Sequence, residues 1–77
     1  MEFEKLQEII ADVLNIDPKD IQMDSRFHED LDADSLDLFQ IIMGIEQNFD
    51  LQIEDEDAEK IVTVGDAVEQ IRNAIGD

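Results

Sequence analysis

An all-α fold is predicted, a small four-helix bundle of three main helices and one short helix with a long first loop. Three observations carry that expectation. Apolar residues recur at helical spacing in three separate stretches, helix-start chemistry precedes two of them, and no stretch alternates apolar and polar residues as a strand would. Phe3, Leu6, Ile10, Val13 and Leu14 form the first stripe, widened by Ile9, so a helix is expected from about Glu2 to Asn15, with Pro18 stopping it. A loop from Ile16 to Asp34 follows, in which Ile16, Ile21, Met23, Phe27 and Leu31 are isolated apolar residues expected to pin it to the core. Asp34-Ser35-Leu36-Asp37 opens a second helix running to about Phe49, because Asp and Ser accept a bond from a free backbone N–H and acids suit a first turn.

Beyond it, Asp50 to Asp57 is a polar stretch around Leu51 and Ile53, and Ala58-Glu59-Lys60-Ile61 is long enough only for a short third helix. Thr63-Val64-Gly65-Asp66 reads as a capping box, Thr63 capping the last helix while the Asp66 carboxylate reaches back to the Thr63 N–H. Val68, Ile71 and Ile75 are its apolar stripe.

A chain of 77 residues is expected to form one domain, residues 1–77, with a modest core. It has no Cys, so the core must hold the fold without disulfides, and 43% hydrophobic residues suffice. The start Met1-Glu2-Phe3 is not a basic leader, and no apolar run approaches the ~20 residues of a membrane span. A monomer of the cytoplasm or an organelle matrix, without membrane insertion, is expected, the cytoplasm first. Twenty-two acids against five bases give a formal charge of −17, a field that repels nucleic acid and favours partners with basic patches. Disordered acidic tails lack periodic Ile, Leu, Val and Phe, which this chain has throughout. Self-repulsion among the carboxylates is expected to cost stability, less so as salt or a divalent cation screens it.

The second helix has two apolar faces. Wound at about 100° per residue from Leu36, it places Leu38, Ile41, Ile42, Ile45 and Phe49 within about 50° of one line, the core stripe. Leu36, Phe39 and Met43 fall nearly opposite, beside Gln40, Glu46 and Gln47. Three aligned apolar side chains in an acidic frame suggest a docking strip, against the plainer reading that Phe39 and Met43 pack under the first loop. Asp34, Asp37, Glu46, Asp50, Asp55, Glu56 and Asp57 could steer a basic partner onto it, though any single one can be an ordinary solvated charge. Ser35, between two Asp at a helix start, reads most simply as the helix cap. Nothing in the sequence sets a base and an orienting acid around it, and His28, the one histidine, reads as a surface loop residue. No catalytic residue is assigned.

Asp30-Leu31-Asp32-Ala33-Asp34-Ser35-Leu36-Asp37, continued by Ile42-Met43-Gly44-Ile45-Glu46-Gln47-Asn48-Phe49, resembles the acyl carrier proteins of fatty acid synthesis. The likeness extends through Leu51-Gln52-Ile53 and Ala58-Glu59-Lys60-Ile61-Val62-Thr63-Val64 to Asp66-Ala67, nearly the whole chain. It implies that Ser35, within the attachment motif Asp34-Ser35-Leu36, receives 4′-phosphopantetheine from coenzyme A. A separate phosphopantetheinyl transferase, the holo-carrier synthase, would supply magnesium and base, so that the chain is a substrate and not an enzyme. The arm would carry acyl groups as thioesters, sheltered among Leu38, Ile42, Ile45 and Ile61 and delivered to basic-patched fatty acid synthesis and acyltransferase enzymes. Those partners would dock on Leu36, Asp37, Phe39, Gln40, Met43, Glu46 and Glu56. The chain departs from the family at Asp32, where Gly is usual, at Gln40 for Glu, at the bulkier Phe39, and at Glu54 for Pro. Partner preference could shift accordingly.

Three rival readings stand beside this one. Carriers of D-alanyl, polyketide or peptidyl cargo share the attachment chemistry. An unmodified acidic adaptor would use only the Leu36-Phe39-Met43 strip. A calcium module is suggested by Asp30, Asp32 and Asp34 at the first, third and fifth EF-hand positions, but Ser35 stands where Gly is required and Ile41 where the bidentate Glu belongs. No metal ligand is therefore assigned.

Overall fold

The computed structural model describes residues 2–76; Met1, part of the start discussed above, and Asp77 lie outside them. Four helices follow one another: α1 (Glu2–Leu14), α2 (Ser35–Phe49), α3 (Asp55–Glu59) and α4 (Val64–Ile75), with a 3-10 turn at Pro18–Asp20 inside the first loop. The Cα radius of gyration is 11.0 Å, close to the about 11.5 Å of a packed chain this long. The acidic composition therefore coexists with a formed core.

That core is built from the expected stripes. Leu6, Ile9 and Ile10 of α1, Ile41, Ile42 and Ile45 of α2, and Val64, Val68 and Ile71 of α4 are all buried, while Phe3, Val13, Leu14, Leu38 and Phe49 pack half-buried around them. Helix α1 lies against both α2 and α4. Gly44 marks a close approach of α1 and α2: a Cβ there would sit 2.8 Å from Ile9 Cγ2. Ile75 is exposed, contrary to its place in the expected stripe, because it lies in the last turn of α4, beyond the layer holding Ile71.

Helix ends were less legible. Helix α1 stops at Leu14 because Asn15 turns left-handed (φ 58°) and the Ile16 N–H donates to Ala11 O at 3.2 Å, a Schellman closure. Pro18 is not the stop; it opens the 3-10 turn, capped by Asp17 accepting from the Lys19 N–H at 2.9 Å. Helix α3 begins at Asp55, three residues before the expected Ala58, and ends at Glu59. Its first turn, Asp55-Glu56-Asp57, suits the positive end of the helix dipole.

The first loop is tied to the start of α4 by its backbone. The Gly65 N–H donates to Met23 O at 2.7 Å, Val64 N–H to Ser25 O at 2.9 Å and Phe27 N–H to Val62 O at 3.0 Å, around an isolated bridge between Arg26 and Thr63. Ile21 and Phe27 do reach the core, and Ile16 and Leu31 pack against it, but the Met23 side chain is exposed. Met23 therefore anchors the loop through its carbonyl and not through its side chain.

The Thr63–Asp66 capping box forms as expected: Thr63 Oγ1 accepts from the Asp66 N–H at 3.1 Å, and Asp66 Oδ2 accepts from the Thr63 and Val62 N–H groups, each at 3.0 Å. The two backbone N–H groups, Thr63 first, hold the Asp66 carboxyl below its ordinary value against the opposing effect of burial. A folded-state value lower than the unfolded one stabilises the fold above the unfolded value, and this contribution is lost as pH falls through the folded one. Asp66→Asn should therefore cost about 1 kcal/mol at neutral pH. Urea titrations at stepped pH should show its gap from wild type constant above about pH 5 and closing below about pH 4. A gap that widens on acidification would contradict the assignment.

Candidate functional site

Asp34, not Ser35, caps α2. Asp34 is extended (φ −88°, ψ −176°), its Oδ1 accepts from the Asp37 N–H at 2.8 Å, and Asp37 Oδ2 accepts from the Asp34 N–H at 3.3 Å, a reciprocal box. Ser35 is the first helical residue and is exposed. Among the described residues its hydroxyl makes no backbone hydrogen bond, unlike the Asp34 carboxylate.

The turn leading into this corner is set by Asp32, which takes a left-handed conformation (φ 56°). Glycine enters that region freely and Asp tolerates it, so Asp32 adopts a backbone conformation that a Gly could take as well. Ala33, almost fully buried, donates its N–H to Phe27 O at 2.8 Å and closes the turn.

A cavity of about 230 Å³ opens beside Ser35, lined by Phe27, His28, Ala33, Asp34, Leu38, Ile61 and Val62 along with Ser35 itself. Of the four residues expected to shelter cargo, Leu38 and Ile61 line it, whereas Ile42 and Ile45 are buried in the core and do not. Phe27, His28, Ala33 and Val62 were missed. They lie in loops, where periodicity says nothing about which way a side chain faces.

On the outer face of α2, Leu36 is 64% exposed, Phe39 58% and Met43 44%, so neither Phe39 nor Met43 packs under the first loop. Gln40 beside them and Glu56 on α3 are exposed, and Asp37 is half-buried in its box. Glu46 is different: its Oε2 accepts from the Ile53 N–H at 2.9 Å, tying the segment after α2 back onto the helix. Two of the three aspartates of the calcium reading, Asp30 and Asp34, are directed to other partners, and Asp32 is exposed. Asp30 Oδ2 accepts from the Arg26 N–H at 2.8 Å and Asp34 holds Asp37, and among the described residues no three acidic, His or Cys side chains gather as a metal site.

Residues 4–71 match the family model described as "Phosphopantetheine attachment site". The acyl carrier protein of Clostridium acetobutylicum is 51% identical over 72 residues, covering 94% of each chain. That of a Sulfurovum species is 45% identical over 71 residues, covering 92% of this chain and 95% of its own. The chain belongs to the acyl carrier protein family. It is accordingly a carrier and not a catalyst, and 4′-phosphopantetheine is its cofactor. The residues present fit that group: an exposed hydroxyl in the first turn of a 15-residue helix, where a phosphodiester meets the positive dipole end, next to a largely apolar cavity. As a family member it is served by a phosphopantetheinyl transferase, and among the described residues no helix is long and apolar enough to cross a membrane.

Proposed function

We propose that Ser35 carries the phosphopantetheine arm and that residues 1–77 act as one carrier domain delivering fatty acyl groups to the enzymes of fatty acid synthesis. One observation carries the assignment. The chain has three side-chain hydroxyls and no Tyr. Ser25 is buried and its Oγ accepts from the Gln22 N–H at 3.0 Å, and Thr63 Oγ1 accepts from the Asp66 N–H at 3.1 Å. Ser35 is the exposed one, with Asp34 doing the capping.

When bound, the arm supplies a terminal thiol that holds an acyl group as a thioester. The chain's own part is to display, shelter and dock. Ser35 Oγ presents its lone pairs to the transferase and yields its proton to that enzyme's base; Asp34 and Asp37 hold the first turn of α2 in shape. Leu38 and Ile61 give the cavity its apolar wall. At about 230 Å³ the cavity falls below the roughly 300–1,000 Å³ that encloses a drug-sized ligand, so a long acyl chain has to part Leu38 from Ile61 and enter the layer of Ile42 and Ile45. Leu36, Phe39 and Met43 form the apolar centre of the docking face, with Gln40 beside them, and Asp37, Glu46 and Glu56 its acidic rim, suited to basic-patched partners.

Incubation of the purified chain with coenzyme A and a phosphopantetheinyl transferase should raise its intact mass by one arm. An unchanged mass would overturn the reading. Phe39→Ala should leave the urea midpoint within error, since the ring is exposed, while cutting the transferase's kcat/KM about tenfold, a loss of about 1.4 kcal/mol of contact energy. Equal rates for the two proteins would remove Phe39 from the docking face.

A further inference from the structure

The turn that closes the cavity beside Ser35 carries a side chain for which the carrier reading has no use. His28 lines that cavity together with Asp34 and Ser35. Its Nδ1 lies 3.3 Å from the Ala33 carbonyl oxygen. In the tautomer that makes this bond, Nδ1 carries the hydrogen and Nε2 keeps a lone pair, so protonation adds a second donor at Nε2. The backbone is fixed on both sides, with Phe27 N–H on Val62 O at 3.0 Å and Ala33 N–H on Phe27 O at 2.8 Å.

We propose that His28 is a pH-dependent ligand of the phosphodiester on Ser35: protonated, it donates Nε2–H to a phosphate oxygen, and neutral, it lets go. The inference rests on the Ser35 assignment above. Charge makes the case. A phosphodiester on Ser35 adds an anion beside Asp34, the other titratable group on the cavity wall, and beside Asp37, which is boxed with Asp34. The first loop otherwise offers Phe27 and Ala33 there, α2 offers Leu38, and the segment before α4 offers Ile61 and Val62, none of them charged. Arg26, two residues away, is engaged by Glu29 at 2.8 Å and Asp30 at 3.6 Å. Among the described residues His28 is thus the one basic side chain that lines that wall, and imidazole side chains in general change charge between about pH 5 and 8.

The test follows the phosphorus NMR resonance of the modified protein across that range, where a phosphodiester has no proton of its own to lose. In the wild type the resonance should move in one sigmoidal step. With His28→Gln the step should vanish. With His28→Lys, which keeps a cation through the whole range, the resonance should be displaced from that of the Gln variant and flat. His28 is exposed, so neither substitution removes core packing. A flat wild-type resonance, or a step that persists in His28→Gln, would overturn the role of His28 and leave Ser35 in place. A wild type that takes up no phosphorus at all would overturn both.

Discussion

Ser35→Ala, incubated with coenzyme A and transferase, should keep its unmodified mass while the wild type gains one arm. On the proposed assignment the effect is all or none, because the substitution removes the hydroxyl oxygen that would form the phosphoester bond, and Ser25 and Thr63 are not expected to take its place. Both of those hydroxyls already accept backbone N–H groups, and Ser25 is buried besides. Stability should hardly change. Ser35 is exposed at the first position of α2, and the cap belongs to Asp34, so Ala there is a good helix former at no loss of a backbone bond. A matching urea midpoint would separate lost chemistry from lost fold. If Ser35 were the cap, the same substitution would cost about 1 kcal/mol.

Ile45→Ala should do the opposite, leaving the attachment chemistry alone and striking the fold. Ile45 is fully buried at the centre of α2, and truncating such a residue costs about 2–5 kcal/mol through lost transfer energy and the cavity left behind. For a chain of 77 residues the whole folding free energy is on the order of 4–12 kcal/mol, so a large share of it would go. Urea denaturation followed by circular dichroism should show the midpoint fall by about a sixth or more. A loss under about 1 kcal/mol would mean that the layer of Ile42 and Ile45 is already loose, and that the cavity beside Ser35 reaches it without any parting of Leu38 from Ile61.

The main helices were legible because their signals are local. A 3.6-residue stripe buries Leu6, Ile10, Ile41, Ile45, Val68 and Ile71, and the Thr63–Asp66 box needs only four adjacent residues to form. The corner at Ser35 was half legible. Asp34 and Ser35 can each accept the capping bond, and the choice is settled three residues on: from Asp34 that position is Asp37, which reciprocates, and from Ser35 it is Leu38, which cannot. Helix α3 was misplaced because its first turn is wholly acidic, so an apolar landmark pointed to Ala58–Ile61 when the dipole favours Asp55-Glu56-Asp57. The strap between Met23–Phe27 and Val62–Gly65 joins residues far apart in sequence through main-chain groups that every residue has, and no side-chain pattern announces it. The cavity depends on that strap. Phe27, His28 and Val62 could not be gathered around Ser35 before the pairing was known.

The outer face of α2 shows how far pattern reaches toward function. The helical wheel alone put Leu36, Phe39 and Met43 opposite the core, and all three are exposed. It put Glu46 in the same acidic frame, yet that carboxylate also holds the Ile53 N–H, so it serves the fold besides its proposed place on the docking rim.

The most direct measurement digests the modified protein and reads the site of the added mass by fragmentation. The arm should sit on the peptide containing Asp34-Ser35-Leu36, with fragment ions bracketing Ser35 and unshifted masses for the peptides carrying Ser25 and Thr63. An arm found on Ser25 or Thr63, or a chain left unmodified by an active transferase, would contradict the account.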